Sequence, residues 1–221
     1  MRAVLFGARR ELIRVDLHVH SSASFDCGVE PEQVAAACRR LGLAPVFLTD
    51  HDSIEGALRL RACERVVVGE EVLTSGGELI GLFLRERIPA GLSPKETAAR
   101  IKHQGGLVYL EHPYDPTRRH LSEEAIEDLA DLIDIVEVFN GRSDGKANRR
   151  AEELCGILGA APGAGSDAHS TADLGSVYVE MQDFEGASDF LAKLRDAKIV
   201  VGRSKLLLTA QAKLGPKIRR R

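Results

Sequence analysis

Short apolar runs alternate along this chain with amphipathic stretches, and most of the apolar runs end in acids or histidines. LIRVDL, PVFLTD, RVVVGEEV, ELIGLFL, LVYLEHP, IDIVEVFN, APGAGSD, SVYVEM and KIVVG have the length and residue types of strands. Between them EPEQVAAACRRLG, SIEGALRLRACE, SPKETAARIKHQGG, LSEEAIEDLADL, KANRRAEELCGILG and ASDFLAKLRDA read as helices. Pro31 suits a first helical turn, Gly42 a C-terminal stop and Ser93 an N-cap. Such alternation favours a parallel sheet covered by helices, with seven or more strands feeding one sheet. The number of units points to a barrel more than to a doubly wound sheet.

The chain has 221 residues, of which 44% are hydrophobic and 29% charged, so one α/β domain over residues 1–221 is expected. No run approaches the roughly 18 apolar residues of a membrane span. The N-terminal MRAVLFGARRELI has too short an apolar core and too many arginines for a secretory signal, which implies a cytoplasmic address. Cys27, Cys38, Cys63 and Cys155 are scattered without a Cys-x-x-Cys pair, so reduced thiols are expected rather than a zinc ribbon or disulfides. A net charge of −3 gives no general case for nucleic acid, and the basic tail KLGPKIRRR from Lys213 reads as a solvated end. Neither a membrane nor an obligatory protein partner is indicated.

In a barrel of parallel strands the C-terminal strand ends share one face. The clusters DLHVH, LTDHD, GEEV, LEHP, VEVFN and GSDAH would therefore converge there. Asp16, His18 and His20, at alternate positions, would point together into the mouth while Leu17 and Val19 face the outer helices. Five of the seven histidines (His18, His20, His51, His112 and His169) lie in these clusters, and only His103 and His120 lie outside. Imidazoles and carboxylates without thiolates suit zinc, manganese or iron, and a set this rich suggests more than one ion. Each cluster alone has a plainer reading: TDHD is a turn with Asp50 as a helix cap, and GEEV a solvated strand end. Their joint placement favours metals.

The ordered motifs DLHVHSSAS, TDHDS, GEEV, EHP, EVFNGR and GSDAH, from Asp16 to His169, resemble the PHP (polymerase and histidinol phosphatase) superfamily. The resemblance implies a distorted (β/α)7 barrel, TIM-like in outline, with two to three divalent ions (Zn, Mn or Fe) at its C-terminal face and phosphoester hydrolysis as the main activity. Carried over by position, it implies that His18, His20, Glu71 and Asp167 hold one ion. Glu71 would bridge to a second ion with His112, and Asp26, His51 and His169 would hold a third. The Gly-x-Glu spacing selects Glu71 over Glu70, which would face the other side of the strand. Glu78 stands near a position where many relatives carry histidine, and reads either as a ligand of the second ion or as an exposed acid.

Such a centre implies a metal-dependent phosphoesterase that uses a metal-activated hydroxide on a phosphate ester of a small molecule, a nucleotide or an oligonucleotide end. Asp50 and His169 are candidates for proton transfer or for supporting the ligands. Arg142, directly after the sixth strand end, offers phosphate a planar fork, and Lys146 and Arg118 lie in nearby loops. Two other classes stay open: a metal-dependent amidohydrolase or esterase, and a metal-stabilised binding module without turnover.

Overall fold

The computed structural model describes residues 12–202, so the basic tail from Lys213 lies outside the described residues. Six strands form one curled sheet in chain order: β2 (Val46–Leu48), β3 (Val66–Thr74), β4 (Gly77–Leu82), β5 (Leu107–Leu110), β6 (Ile135–Asn140) and β7 (Ala161–Gly165). β2–β3, β5–β6 and β6–β7 pair in parallel, whereas β4 runs antiparallel to both neighbours. The expected regular β/α alternation fails here for a simple reason. Only Ser75 and Gly76 separate β3 from β4, enough for a hairpin and too few for a crossover helix.

Nor do all strands feed one sheet, as the pattern suggested. β1 (Leu12–Val15), β8 (Val177–Gln182) and β9 (Lys198–Val201) form a separate antiparallel sheet in the order β1-β8-β9. Past β1 the chain bends at Leu17 and enters the space between β7 and β2. There His18 O accepts from Asp167 N–H (2.9 Å), His20 N–H donates to Ala168 O (3.0 Å), and Val19 O accepts from Thr49 N–H (2.9 Å). The segment carrying His-x-His thus links the two ends of the curled sheet. Gly165 makes the approach possible, because a Cβ there would meet His18 N at 2.7 Å and Cα at 3.0 Å.

Helices α1 (Pro31–Leu41), α2 (Glu55–Leu60), α3 (Pro94–His103), α4 (Glu123–Asp128) and α5 (Gly145–Leu158) cover the outer face. Pro31 opens α1, Gly42 closes it at φ 69°, and the Ser93 hydroxyl caps α3 by accepting from Glu96 N–H at 3.2 Å. The helix-facing core contains Val68, Val72, Leu79, Val108, Leu110 and Val136. A second core contains Phe47, Val67, Leu82, Leu107, Ile135 and Ala161, all toward the N-terminal ends of the parallel strands or level with them, together with Val179, Met181, Phe190 and Leu194. β8 and α6 (Gly186–Leu194) therefore close that end with apolar side chains, leaving the opposite end for polar chemistry. Leu17 packs in this second core and not against the outer helices, because the bend resets the strand alternation; Val19 does join the helix-facing core. Among the described residues no helix is long and apolar enough to cross a membrane.

Candidate metal centre

At the open end, nine side chains from six segments bring donor atoms together in four overlapping groups. These are His18, His20 and Asp167; His18, Glu71 and His112; His51, Glu71 and Glu78; and His20, Asp26, His51 and His169, with the donor atoms of each group within 4.8 Å of one another. Glu71 is the hub. Its Oε2 lies 3.1 Å from His18 Nε2, 3.3 Å from His20 Nε2 and 3.5 Å from His51 Nδ1, while Oε1 lies 3.1 Å from His112 Nε2. Asp167 Oδ1 is 3.5 Å from His20 Nε2, and Asp26 Oδ2 is 2.9 Å from His169 Nε2 and 3.5 Å from His51 Nε2. Glu78 is buried, with Oε1 3.9 Å from His51 Nδ1, so it is not an exposed acid.

Strand alternation explains Glu71. It shares the inner face of β3 with Val67, while Glu70 shares the helix side with Val68 and Val72, accepts from Ile88 N–H at 2.8 Å and belongs to none of the donor groups. Burial pushes the Glu70 carboxyl up to about 7. Elsewhere the backbone leaves its ordinary range to aim a side chain: His112 (φ 26°) and Asp167 (φ 54°) have positive φ, as does Asp52 (φ 49°) next to His51. Non-glycine residues rarely accept this, and such strain gathers at functional sites.

The electrostatics favour positive charge at His18 and His112, whereas burial lowers the pKa of His20. Burial opposes an imidazolium at His18, yet Glu137, Glu71 and Asp167 raise its pKa well above the ordinary value. Burial opposes charge at His112 too, and Glu71 lifts it to about 9. Burial likewise resists ionisation of Glu71 and Asp167, but the surrounding histidines hold both carboxyls well below their usual range. The potential that stabilises an imidazolium also attracts a cation. The donor set fits divalent ions on its own geometry: His20 Nε2 is buried and makes no hydrogen bond, although oxygens of Glu71 and Asp167 lie 3.3 and 3.5 Å away. A buried imidazole nitrogen facing two carboxylate oxygens at distances longer than a good hydrogen bond leaves room for a shared cation, and no cysteine joins the donor groups.

Behind these donors stands Glu137 of β6, an acid within VEVFN whose role no local sequence pattern signals. It is fully buried. Its Oε1 lies 3.1 Å from His18 Nδ1 and accepts from the Tyr109 hydroxyl at 3.0 Å, while Oε2 accepts from His112 N–H and Asn140 Nδ2, both at 2.9 Å. A carboxylate on the far nitrogen of a ligating histidine fixes tautomer and ring orientation.

Asp50 stands behind two of the histidines. Buried, it accepts from Ser21 N–H (2.6 Å), the Ser21 hydroxyl (2.8 Å) and the Ser24 hydroxyl (3.1 Å). Ser24 Oγ lies 3.2 Å from His20 Nδ1 and accepts from His51 N–H at 2.9 Å, so Asp50 positions two histidines through a serine. Asp16 departs from the expectation that it points into the mouth. It accepts from Ser166 N–H (2.8 Å), the Ser166 hydroxyl (2.5 Å) and Gly175 N–H (3.0 Å), tying the end of β1 to the segment after β7 and joining no donor group.

Two arginines border the centre. Arg118 Nη2 donates to Asp167 Oδ2 at 3.1 Å; Arg142 Nη1 lies 3.6 Å from Asp167 Oδ1 and 2.8 Å from His169 Nδ1, with its side chain 38% exposed. Lys146 is exposed in the first turn of α5, where its amide caps onto Asp144 at 2.8 Å. Among the described residues its ammonium forms no ion pair or hydrogen bond with the donor groups.

A family model described as PHP-associated matches residues 145–199. The uncharacterized protein MJ1587 of Methanocaldococcus jannaschii is 39% identical over 155 residues, 63% of this chain and 89% of that protein. MJ0417 of the same organism is 35% identical over 179 residues, 77% of this chain and 71% of that protein. In fold, the chain is similar to a two-domain protein of Bacteroides vulgatus that contains a predicted PHP-like metal-dependent phosphoesterase, with a TM-score of 0.70, 19% identity and coverage of 92% and 70% of the two chains. An α/β fold with a curled sheet and a histidine-carboxylate centre at one end defines the class. The chain belongs to the PHP superfamily.

Proposed function

We propose that the protein is a metal-dependent phosphoesterase acting on a phosphate ester of a small molecule, nucleotide or oligonucleotide end. One observation carries this reading: Arg118 and Arg142 meet at Asp167 on the border of a multi-histidine donor set. His18, His20, Glu71 and Asp167 would hold one divalent ion, Glu71 and His112 a second, and Asp26, His51 and His169 a third, while Glu78 shares a donor group with Glu71 and His51. When bound, such ions supply water of lowered pKa and offset the charge of a phosphoryl group.

The chain's own residues then divide the remaining work. Glu137 orients the His18 ring through Nδ1, so that Nε2 is turned to Glu71 and the centre. Asp50 and Ser24 hold His20 and the His51 backbone in place. The guanidinium groups of Arg142 and Arg118 grip phosphate oxygens in a planar, bidentate manner. An anion clamp of this kind favours phosphate esters over amides, whose ground state carries no charge. His169 lies between Asp26 and Arg142 and so joins the carboxylate of the third site to the arginine that would grip the phosphate.

Phosphate release from a panel of mono- and diesters tests the reading on protein whose metals have been quantified. Hydrolysis of phosphate esters that scales with ion content supports it. Hydrolysis confined to amides or carboxylic esters overturns it.

A further inference from the structure

Phe25 is out of keeping with its surroundings. It is 85% exposed, although a phenyl ring is among the groups that gain most from burial. A lone exposed apolar side chain is ordinary on a protein surface. This one is held against the centre: it precedes Asp26, and its ring lies 5.0 Å from that of His51, which in turn lies 6.3 Å from that of His169.

The loop is pinned. Asp50 fixes Ser21 and Ser24, Ser24 N–H donates to Ser21 O at 2.9 Å, and Ser22 N–H donates to Val29 O at 2.7 Å. With both flanks of the loop tied, the ring is kept at the rim rather than turned inward, and a pre-positioned surface costs less to bind against. Contacts run from Phe25 through His51 and Asp26 to His169, and from there to Arg142 and Asp167. Anion-binding guanidinium groups thus stand at one end of the outer donor group and an exposed aromatic ring at the other.

We infer that Phe25 is a stacking platform that selects phosphoesters whose alcohol carries a flat aromatic ring, a nucleobase above all. This rests on the phosphoesterase reading and narrows it. Stacking accepts any base, because every base offers a π-face, so the selection is for the presence of a base and not for its identity.

Calorimetric binding to the metal-loaded full chain tests this with adenosine 5′-monophosphate and glycerol 3-phosphate, in the wild type, Phe25→Ala and Phe25→Trp. The platform predicts that the wild type prefers the nucleotide by about tenfold or more, that Phe25→Ala removes the preference and that Phe25→Trp keeps it. A 5′-phosphorylated dinucleotide beside the mononucleotide separates an oligonucleotide end from a free nucleotide as the source of the base. Equal binding of the two esters by the wild type, a preference that survives Phe25→Ala, or no nucleotide binding at all overturns the inference. Phe25-dependent binding without phosphate release leaves the platform standing and overturns the esterase reading. Hydrolysis of both esters with no dependence on Phe25 does the reverse.

Discussion

Glu137 and His18 form a buried pair, Oε1 to Nδ1 at 3.1 Å, with the other imidazole nitrogen turned to Glu71 at 3.1 Å. One carboxylate thus orients the ring and another shares the centre with it. Glu137 also accepts from Tyr109, the His112 backbone and Asn140, so it sets the position of two candidate ligands at once.

Glu137→Gln places an amide NH2 against some of these donors. Metal affinity or activity should fall roughly ten- to a hundredfold, as is usual when a partner behind a ligand is changed. Titration of metal-free protein with manganese or zinc reads the effect; wild-type affinity would remove Glu137 from the centre.

Elemental analysis of protein purified without chelator, then incubated with manganese or zinc, should find two to three ions per chain, because nine donor side chains are too many for one ion. Reloading should raise Tm relative to chelated protein, by about 4 kcal/mol of stability at a thousandfold excess over Kd. Asp26→Ala should lose chiefly the outermost ion, since Asp26 belongs only to the group with His20, His51 and His169. Less than one equivalent in the wild type, or equal loss in Asp26→Ala and Asp167→Ala, would contradict the assignment.

Arg142→Ala should keep metal content and Tm while lowering kcat/KM for phosphate esters. A charge-assisted hydrogen bond of about 1.5–3 kcal/mol corresponds to a roughly ten- to hundredfold loss. Lysine should restore only part, since it lacks the planar fork. Wild-type kinetics would move the anion grip to Arg118 or Lys146.

At the closed end, Phe190 is fully buried, with ring centroids 4.8 Å from Phe184, 5.3 Å from Phe83 and 5.5 Å from Phe47. Phe190→Ala should cost about 3–5 kcal/mol through lost burial and a cavity. At roughly 2–4 °C per kcal/mol for a chain of this size, Tm should fall by some 6–20 °C with metal stoichiometry retained. A shift below a few degrees would mean that α6 does not seal the closed end of the curled sheet.

Local periodicity explains what the sequence made legible. The strand positions and the five clustered histidines follow from apolar runs whose ends carry polar residues, and the choice of Glu71 over Glu70 follows from two-residue alternation. The second sheet was hidden because its register joins Arg14 to Glu180, a pairing that no local pattern encodes. The antiparallel β4 was signalled only by the brevity of the Ser75-Gly76 turn. Glu137 reads in sequence like any acid on a strand, and its role emerges only when Tyr109, His112 and Asn140 are brought to it. Asp50 and Asp16 lie beside the histidines in sequence, but serine hydroxyls and backbone amides claim their carboxylates.

The most direct test is phosphate release from adenosine 5′-monophosphate and glycerol 3-phosphate by protein carrying a measured number of ions, beside Asp167→Asn. The account predicts turnover that rises with ion content, vanishes on chelation, returns on reloading and is abolished in Asp167→Asn. No phosphate release above background at two to three bound equivalents, or full activity in Asp167→Asn, would contradict it.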